Sequence, residues 1–311
     1  MNRHEALRYG FGAVACLLLW AIGRDVLDIA SLLAIALIGT PHGAADSLRL
    51  RALATAADGT VRWLLFLACN ALYLAVAVAV WWLFLHWPAP ALPGFVLISL
   101  LHFGATDAMA EWRRVASEVS VSMPRPQAQK RVMRTAAMSA VVAIAGPFVV
   151  WQTDVQTYLR WLGLTASEAA RFPALNAALT VALAMMVSAT AMIGVRRRSL
   201  NEWRLPTAVW IAGPSLLLPP AAGFALYFCA VHASRHWAQL RIDQTELPLR
   251  PVIATMLATV AIALALLWRH QDAAFAPRLV QVVIVGLAAL TVPHMLLDAV
   301  GRYRQMPQHA R

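Results

Sequence analysis

The chain has 311 residues, 60% of them hydrophobic and 13% charged, with net charge +11 and mean hydropathy +0.64. That excludes disorder, and it excludes a soluble enzyme on one anchor, because soluble domains are nearer half apolar and a quarter charged. It points to an all-α, polytopic transmembrane bundle, read as a single integral-membrane domain over 1–311. The basic residues lie in short loops between apolar runs, a membrane-orientation signal rather than a groove for nucleic acid.

A membrane-spanning helix needs about 20 apolar residues. In chain order the runs are 9–23, 27–46, 61–86, 95–112, 132–151, 173–195, 205–219, 221–241, 250–269 and 278–300. The runs 9–23 and 205–219 are short, so the pattern predicts eight to ten helices. Arg3 and Arg8 precede the first run, and no convincing small-residue cleavage site follows it. It is therefore expected to be a retained helix rather than a signal peptide. With ten spans and both termini cytoplasmic, 21 Lys and Arg fall inside and 5 outside. Such a bias supports ten spans. The segment 152–172 carries Tyr158, Leu159, Trp161 and Leu162 at helical spacing, as an interfacial helix would. The inner loop 113–134, with Pro124 and Pro126, is expected to be mobile. Cys16, Cys69 and Cys229 all lie in apolar runs, which argues against a disulfide framework.

Ionisable residues inside a membrane are costly and usually functional. Four groups stand out: Pro41-His42-Gly43 with Asp46, His102-Phe103-Gly104 with Asp107, His232 with Arg235-His236, and Pro293-His294 with Asp298. At about 1.5 Å per residue, all five imidazoles lie roughly 8–16 Å in from the inner boundary. One membrane histidine usually hydrogen-bonds across a helix pair. Five at one depth argue for a shared site between helices. On an α-helix His232 and His236, at i and i+4, share a face. Asp46 and Asp298 stand at i+4 from His42 and His294, where a carboxylate can fix an imidazole tautomer; Asp107 is at i+5 from His102. Arg235 is expected to pair with Asp46, Asp107 or Asp298. Phe103, Phe224, Tyr227, Phe228 and Trp237 are either core packing or a dry wall for an apolar substrate arriving from lipid. His4, His86, His270 and His309, at ends or loops, look ordinary.

An all-imidazole site suits Fe, Cu or Zn better than Mg or Ca. A zinc protease would need a Glu after the first histidine of the pair, and position 233 is Ala. Four neutral imidazoles around Fe(II), with open positions, fit oxygen activation. A bis-His haem carrier and a histidine proton relay in a transporter remain as alternatives.

At these residues the chain resembles a known family, the membrane-integral beta-carotene cleavage enzymes of the bacteriorhodopsin-related-protein-like (Brp/Blh) type. The resemblance rests on Pro41-His42-Gly43 with Asp46, His102-Phe103-Gly104 with Asp107, Phe228-Cys229 before His232, Arg235-His236, and Pro293-His294 with Asp298. It implies a non-haem Fe(II) dioxygenase of the cell membrane that uses O₂ to split beta-carotene centrally into two all-trans-retinal molecules. It implies iron ligation by His42, His102, His232 and His236, with His294 in support. Retinal as product implies a functional link to a rhodopsin. Ala233 departs from the Ser common in the family, with Ser234 next, which bears on substrate preference.

Overall fold

The computed structural model describes residues 3–56, 58–116, 142–169, 171, 216–237, 249–269 and 271–305. Among these the chain is helical, with no strand beyond an isolated antiparallel bridge between Thr55 and Val61. The helices are α1 (Arg3–Ile22), α2 (Arg24–Ala44), α3 (Asp46–Ala54), α4 (Trp63–His86) and α5 (Pro88–Ala116). Then come α6 (Gln152–Trp161), the short α7 (Ala166–Ala169) and α8 (Pro220–Tyr227). A π-helical turn, Phe228–Ala233, continues α8, and α9 (Leu249–Arg269) and α10 (Phe275–Gln305) follow. Residues 142–150 are also helical, within the expected run 132–151. The expected run 173–195, the run 205–219 apart from 216–219, and the loop beyond Ala116 lie outside the described residues.

Among the described residues, four helices are long and apolar enough to cross a membrane: Trp63–His86, Pro88–Met109, Arg250–Arg269 and Phe275–Val300. In α4 and α9 few apolar side chains are buried, and many are well exposed, Leu64 by 86% and Trp268 by 74%. So much apolar surface is stable against lipid and not against water. Each helix end has a local cause. Trp87 precedes Pro88, which disfavours helical backbone at that position, and α4 stops at His86. Between α3 and α4, Gly59 takes φ 84°, a left-handed value open to glycine, and the Thr60 amide bonds Asp58 at 2.9 Å. The helix α3 was not expected. Its signals are Asp46 in the first turn and Arg51 in the last, which favour a helix dipole, but the segment is too polar to read as a span.

The contacts divide the chain into two compact units, Met1–Leu32 with Val96–Asp243, and Leu33–Phe95 with Gln244–Arg311. The boundaries fall inside α2 and α5. In the first unit, α1 packs on α8 and on the π-helical turn. A Cβ added at Gly12 would stand 2.6 Å from Leu226 Cδ1, so glycine sets this close approach. We expect Gly12→Leu to overpack the contact and cost about 1–3 kcal/mol, read as a lower unfolding midpoint in detergent.

The segment expected at the interface does form the helix α6. Arg24 bonds Asp28 at 3.3 Å and Asp154 at 3.1 Å, and lies 5.2 Å from the Trp151 ring. Tryptophan and arginine together are the residues that gather at a membrane–water boundary. Beyond α6, Thr165 and Glu168 form a reciprocal cap. The Thr165 amide donates to Glu168 Oε2 at 2.9 Å, and the Glu168 amide to Thr165 Oγ1 at 3.3 Å. The Thr165 amide and hydroxyl hold the Glu168 carboxyl below its ordinary value. A depressed carboxyl contributes its stability above the ordinary titration range and loses it as pH falls through the folded value. Protection of the Thr165 and Glu168 amides, taken relative to intrinsic exchange at each pH, is therefore expected to fall on acidification below about pH 4.5, and Glu168→Gln to remove that dependence.

In the second unit, α3, α9 and α4 all pack on α10, and α3 also packs on α4 and α9. Trp81 approaches Gly286 where α4 meets α10. The inner turns of α10 are buried through Leu279, Val280, Val285 and Ala288. Pro293 sits inside α10, directly before His294. Proline removes one backbone donor there, which a packed membrane helix tolerates and which marks a bend.

Candidate functional site

The first unit carries His102 on α5, His232 on the π-helical turn and His236 just after it. All three are buried, His232 completely. The His102 and His232 ring centroids are 5.6 Å apart. An imidazole nitrogen binds a metal at about 2.0–2.1 Å, so two rings on one ion stand with centroids roughly 5–6 Å apart. The pair therefore fits a shared ion.

Asp107, fully buried, organises this group. It accepts a hydrogen bond from the Tyr227 hydroxyl at 2.6 Å and faces His232 Nδ1 at 3.4 Å. Arg235 Nη1 lies 3.7 Å from Oδ2, the oxygen that accepts from Tyr227, and His232 faces Oδ1. With the carboxylate as acceptor, His232 Nδ1 carries the proton and Nε2 keeps its lone pair, the form that binds metals. Sequence spacing left Asp107, at i+5, poorly aligned with His102, the histidine on its own helix. In the structure it reaches His232 from α5. Arg235 meets Asp107, one of the three carboxylates expected for it.

The aromatic residues enclose His232. Phe103 meets its ring edge-on at 4.2 Å, and Phe228 stacks on it at 5.9 Å. Phe224 stacks on Phe228 at 5.4 Å and meets Phe103 at 6.3 Å. Phe103, Tyr227 and Phe228 are buried, while Phe224 and Trp237 are partly exposed. Tyr227 is committed through its hydroxyl to Asp107, so it acts as a clamp more than as a wall. The π-helical turn holds Phe228 through Ala233, and such turns recur at functional sites. The i, i+4 face argued for His232 and His236 assumed α geometry throughout. The wider turn redirects His232, a change that no residue pattern announces.

The second unit carries its own cluster. Asp46, at the start of α3, faces His294 Nδ1 at 2.8 and 2.9 Å through its two oxygens. The Tyr73 hydroxyl of α4 donates to Asp46 at 3.0 Å and to the Leu290 carbonyl at 3.3 Å. Arg49 lies 3.8 Å from Asp46 and 3.3 Å from Asp298. Spacing along each helix had set Asp46 with His42 and Asp298 with His294. Further partners come from other helices, His294 and Tyr73 to Asp46 and Arg49 to Asp298, because a side chain reaches across a packed pair as readily as along one turn. Tyr73 and Arg49 were not singled out from sequence; the only signal was one hydroxyl in the middle of an apolar span.

His42 lies on α2, and its side chain is outside the described residues. Among the described residues no three His, Cys, Asp or Glu side chains converge on one ion position. The donor chemistry still fits iron in a buried site: neutral imidazoles, one with its tautomer set by a carboxylate, in aromatic surroundings that exclude water.

Known proteins give an independent comparison. The family model described as beta-carotene 15,15'-dioxygenase matches residues 33–300. The chain is 26% identical over 291 residues to a beta-carotene 15,15'-dioxygenase from an uncultured marine bacterium, 66A03, covering 89% of this chain and 94% of that one. It is 31% identical over 247 residues to a probable beta-carotene 15,15'-dioxygenase, Blh, of Halobacterium salinarum, covering 75% of this chain and 69% of that one. No solved structure matches.

Proposed function

The chain belongs to the beta-carotene 15,15'-dioxygenase family, and from that membership we propose that it cleaves the central double bond of beta-carotene with O₂ to give two all-trans-retinal molecules. The match over residues 33–300 carries this reading, because it includes all five buried-run histidines. The atoms balance: one carbon–carbon double bond and one O₂ become two aldehyde groups.

We assign Fe(II) to His42, His102, His232 and His236, with Asp46, Asp107, Asp298, Arg235 and His294 in support. Bound iron supplies the electrons that activate O₂. The residues of the chain do the rest. Asp107, held by Tyr227 and Arg235, keeps the proton on His232 Nδ1 and so presents Nε2. Phe103, Phe224 and Phe228 keep water from that ring and offer apolar surface to a polyene. Beta-carotene enters from the bilayer, and the length of each half that the protein accommodates places the central bond, a positioning effect. Both termini face the cytoplasm in this reading, in the inner or plasma membrane, and the retinal formed supplies a rhodopsin.

The test is expression in cells that accumulate beta-carotene, followed by pigment extraction and chromatography. We expect beta-carotene to fall and retinal to rise. Abundant, iron-loaded protein with the carotenoid intact would move the assignment to another polyene or isoprenoid. Protein with neither iron nor turnover would favour a histidine relay in a transporter.

A further inference from the structure

The two units repeat one arrangement. In each, a buried aspartate collects three partners of the same chemical types: a histidine Nδ1, a tyrosine hydroxyl and an arginine. Asp107 has His232 at 3.4 Å, Tyr227 at 2.6 Å and Arg235 at 3.7 Å. Asp46 has His294 at 2.8 Å, Tyr73 at 3.0 Å and Arg49 at 3.8 Å. The helices and the chain order differ, so the match is one of chemistry and not of a copied segment. Resting on the iron reading above, we propose that His294 is itself a metal ligand through Nε2, and that Asp46, Tyr73 and Arg49 are its positioning residues.

The argument runs through the tautomer. A carboxylate that already accepts from a tyrosine hydroxyl and faces an arginine acts as acceptor with both oxygens. The Nδ1 that touches both of those oxygens is then the N–H. The lone pair is left on Nε2, at the far end of the ring. His294 is 2% exposed, so that lone pair is held away from bulk water. A histidine that only bridged two helices would need one acceptor and no further control of it. Here Tyr73 and Arg49 hold the acceptor in turn, and Tyr73 is fixed by the Leu290 carbonyl one turn before His294. His232 receives that degree of control on a residue assigned to iron, and His294 receives it with a shorter contact to its own aspartate, 2.8 against 3.4 Å. Asp46 also follows His42 by four residues, so the clamp sits beside an assigned ligand in the chain.

The test uses the full chain in detergent, with spectroscopy in place of turnover. His294→Cys is loaded with Co(II) and compared with wild type and with His86→Cys, a substitution at an exposed position. A thiolate bound to Co(II) gives a charge-transfer band in the near ultraviolet. That band is expected in His294→Cys alone. In parallel, iron affinity is measured for wild type, His232→Ala, His294→Ala, Asp46→Asn and Tyr73→Phe. We expect His294→Ala to weaken iron at least as much as Asp46→Asn, itself about 10–100-fold. Tyr73→Phe keeps the ring and the carboxylate, and should weaken iron by a smaller factor with the fold intact. Wild-type iron affinity in His294→Ala, or a folded, cobalt-loaded His294→Cys without the band, overturns the proposal. If wild type and His232→Ala hold equally little iron, the iron reading itself has failed and takes this proposal with it.

Discussion

His236→Ala is expected to reduce retinal formation about a thousandfold or more, while the protein still accumulates in the membrane. A thousandfold loss corresponds to about 4 kcal/mol of barrier. The reason is positional. His236 is 3% exposed and lies four residues beyond His232, next to the Arg235 that reaches Asp107. Alanine removes a donor that no nearby solvent can replace. It also removes little apolar packing, so the helix should survive. His86→Ala is the matched control. His86 is exposed, its Nδ1 lies 2.8 Å from the Trp82 carbonyl, and its ring stacks on Trp82. That variant should keep wild-type retinal yield. Pigment chromatography on cells expressing equal amounts of each protein gives the comparison, and equal retinal from His236→Ala and wild type would remove His236 from the ligand set.

How much of this was legible beforehand differs by residue. The helices α4, α9 and α10 were legible because a spanning run must be apolar whatever its neighbours do. The α4 end falls at His86 as expected, where Pro88 forces Trp87 out of the helix, while α10 runs a few residues beyond its expected 278–300 at both ends. The helix α3 was not legible, because nine polar and apolar residues between two spans read equally well as a loop. The histidines were visible because an ionisable group in an apolar run is rare. Their partners were not, since along-helix spacing is the only geometry a sequence offers. Spacing thus offered Asp46 to His42 and Asp298 to His294, and aligned Asp107 less well with His102. Packing also gives Asp107 to His232 and Asp46 to His294, contacts between helices that no spacing announces. Tyr227 read as part of an aromatic wall, and only the 2.6 Å contact with Asp107 separates it from Phe224 and Phe228.

Asp107→Asn should be the most damaging substitution to stability among those considered, at about 3–5 kcal/mol. Asp107 has no exposed surface and the Arg235 side chain only 9%. With the carboxylate neutralised, the guanidinium stays in apolar surroundings without its counter-charge. The asparagine amide also presents N–H groups where Tyr227 and His232 Nδ1 both approach as donors, so at least one of those contacts is lost. Tyr227→Phe isolates the smaller part. It leaves the ion pair and removes one hydroxyl, for about 1–3 kcal/mol. The double substitution Asp107→Leu with Arg235→Met tests the mechanism directly. It removes both charges, and buried ion pairs replaced by apolar residues are often neutral or better in stability. We expect its unfolding midpoint in detergent to recover well above that of Asp107→Asn, while retinal formation stays lost. Stability and catalysis would then separate at one residue: the pair with Arg235 matters to Asp107 because the charge is buried, and the contact with His232 is the reason a charge is there at all. A double variant as unstable as Asp107→Asn would show that the cost lies in the shape of the site and not in the unpaired arginine.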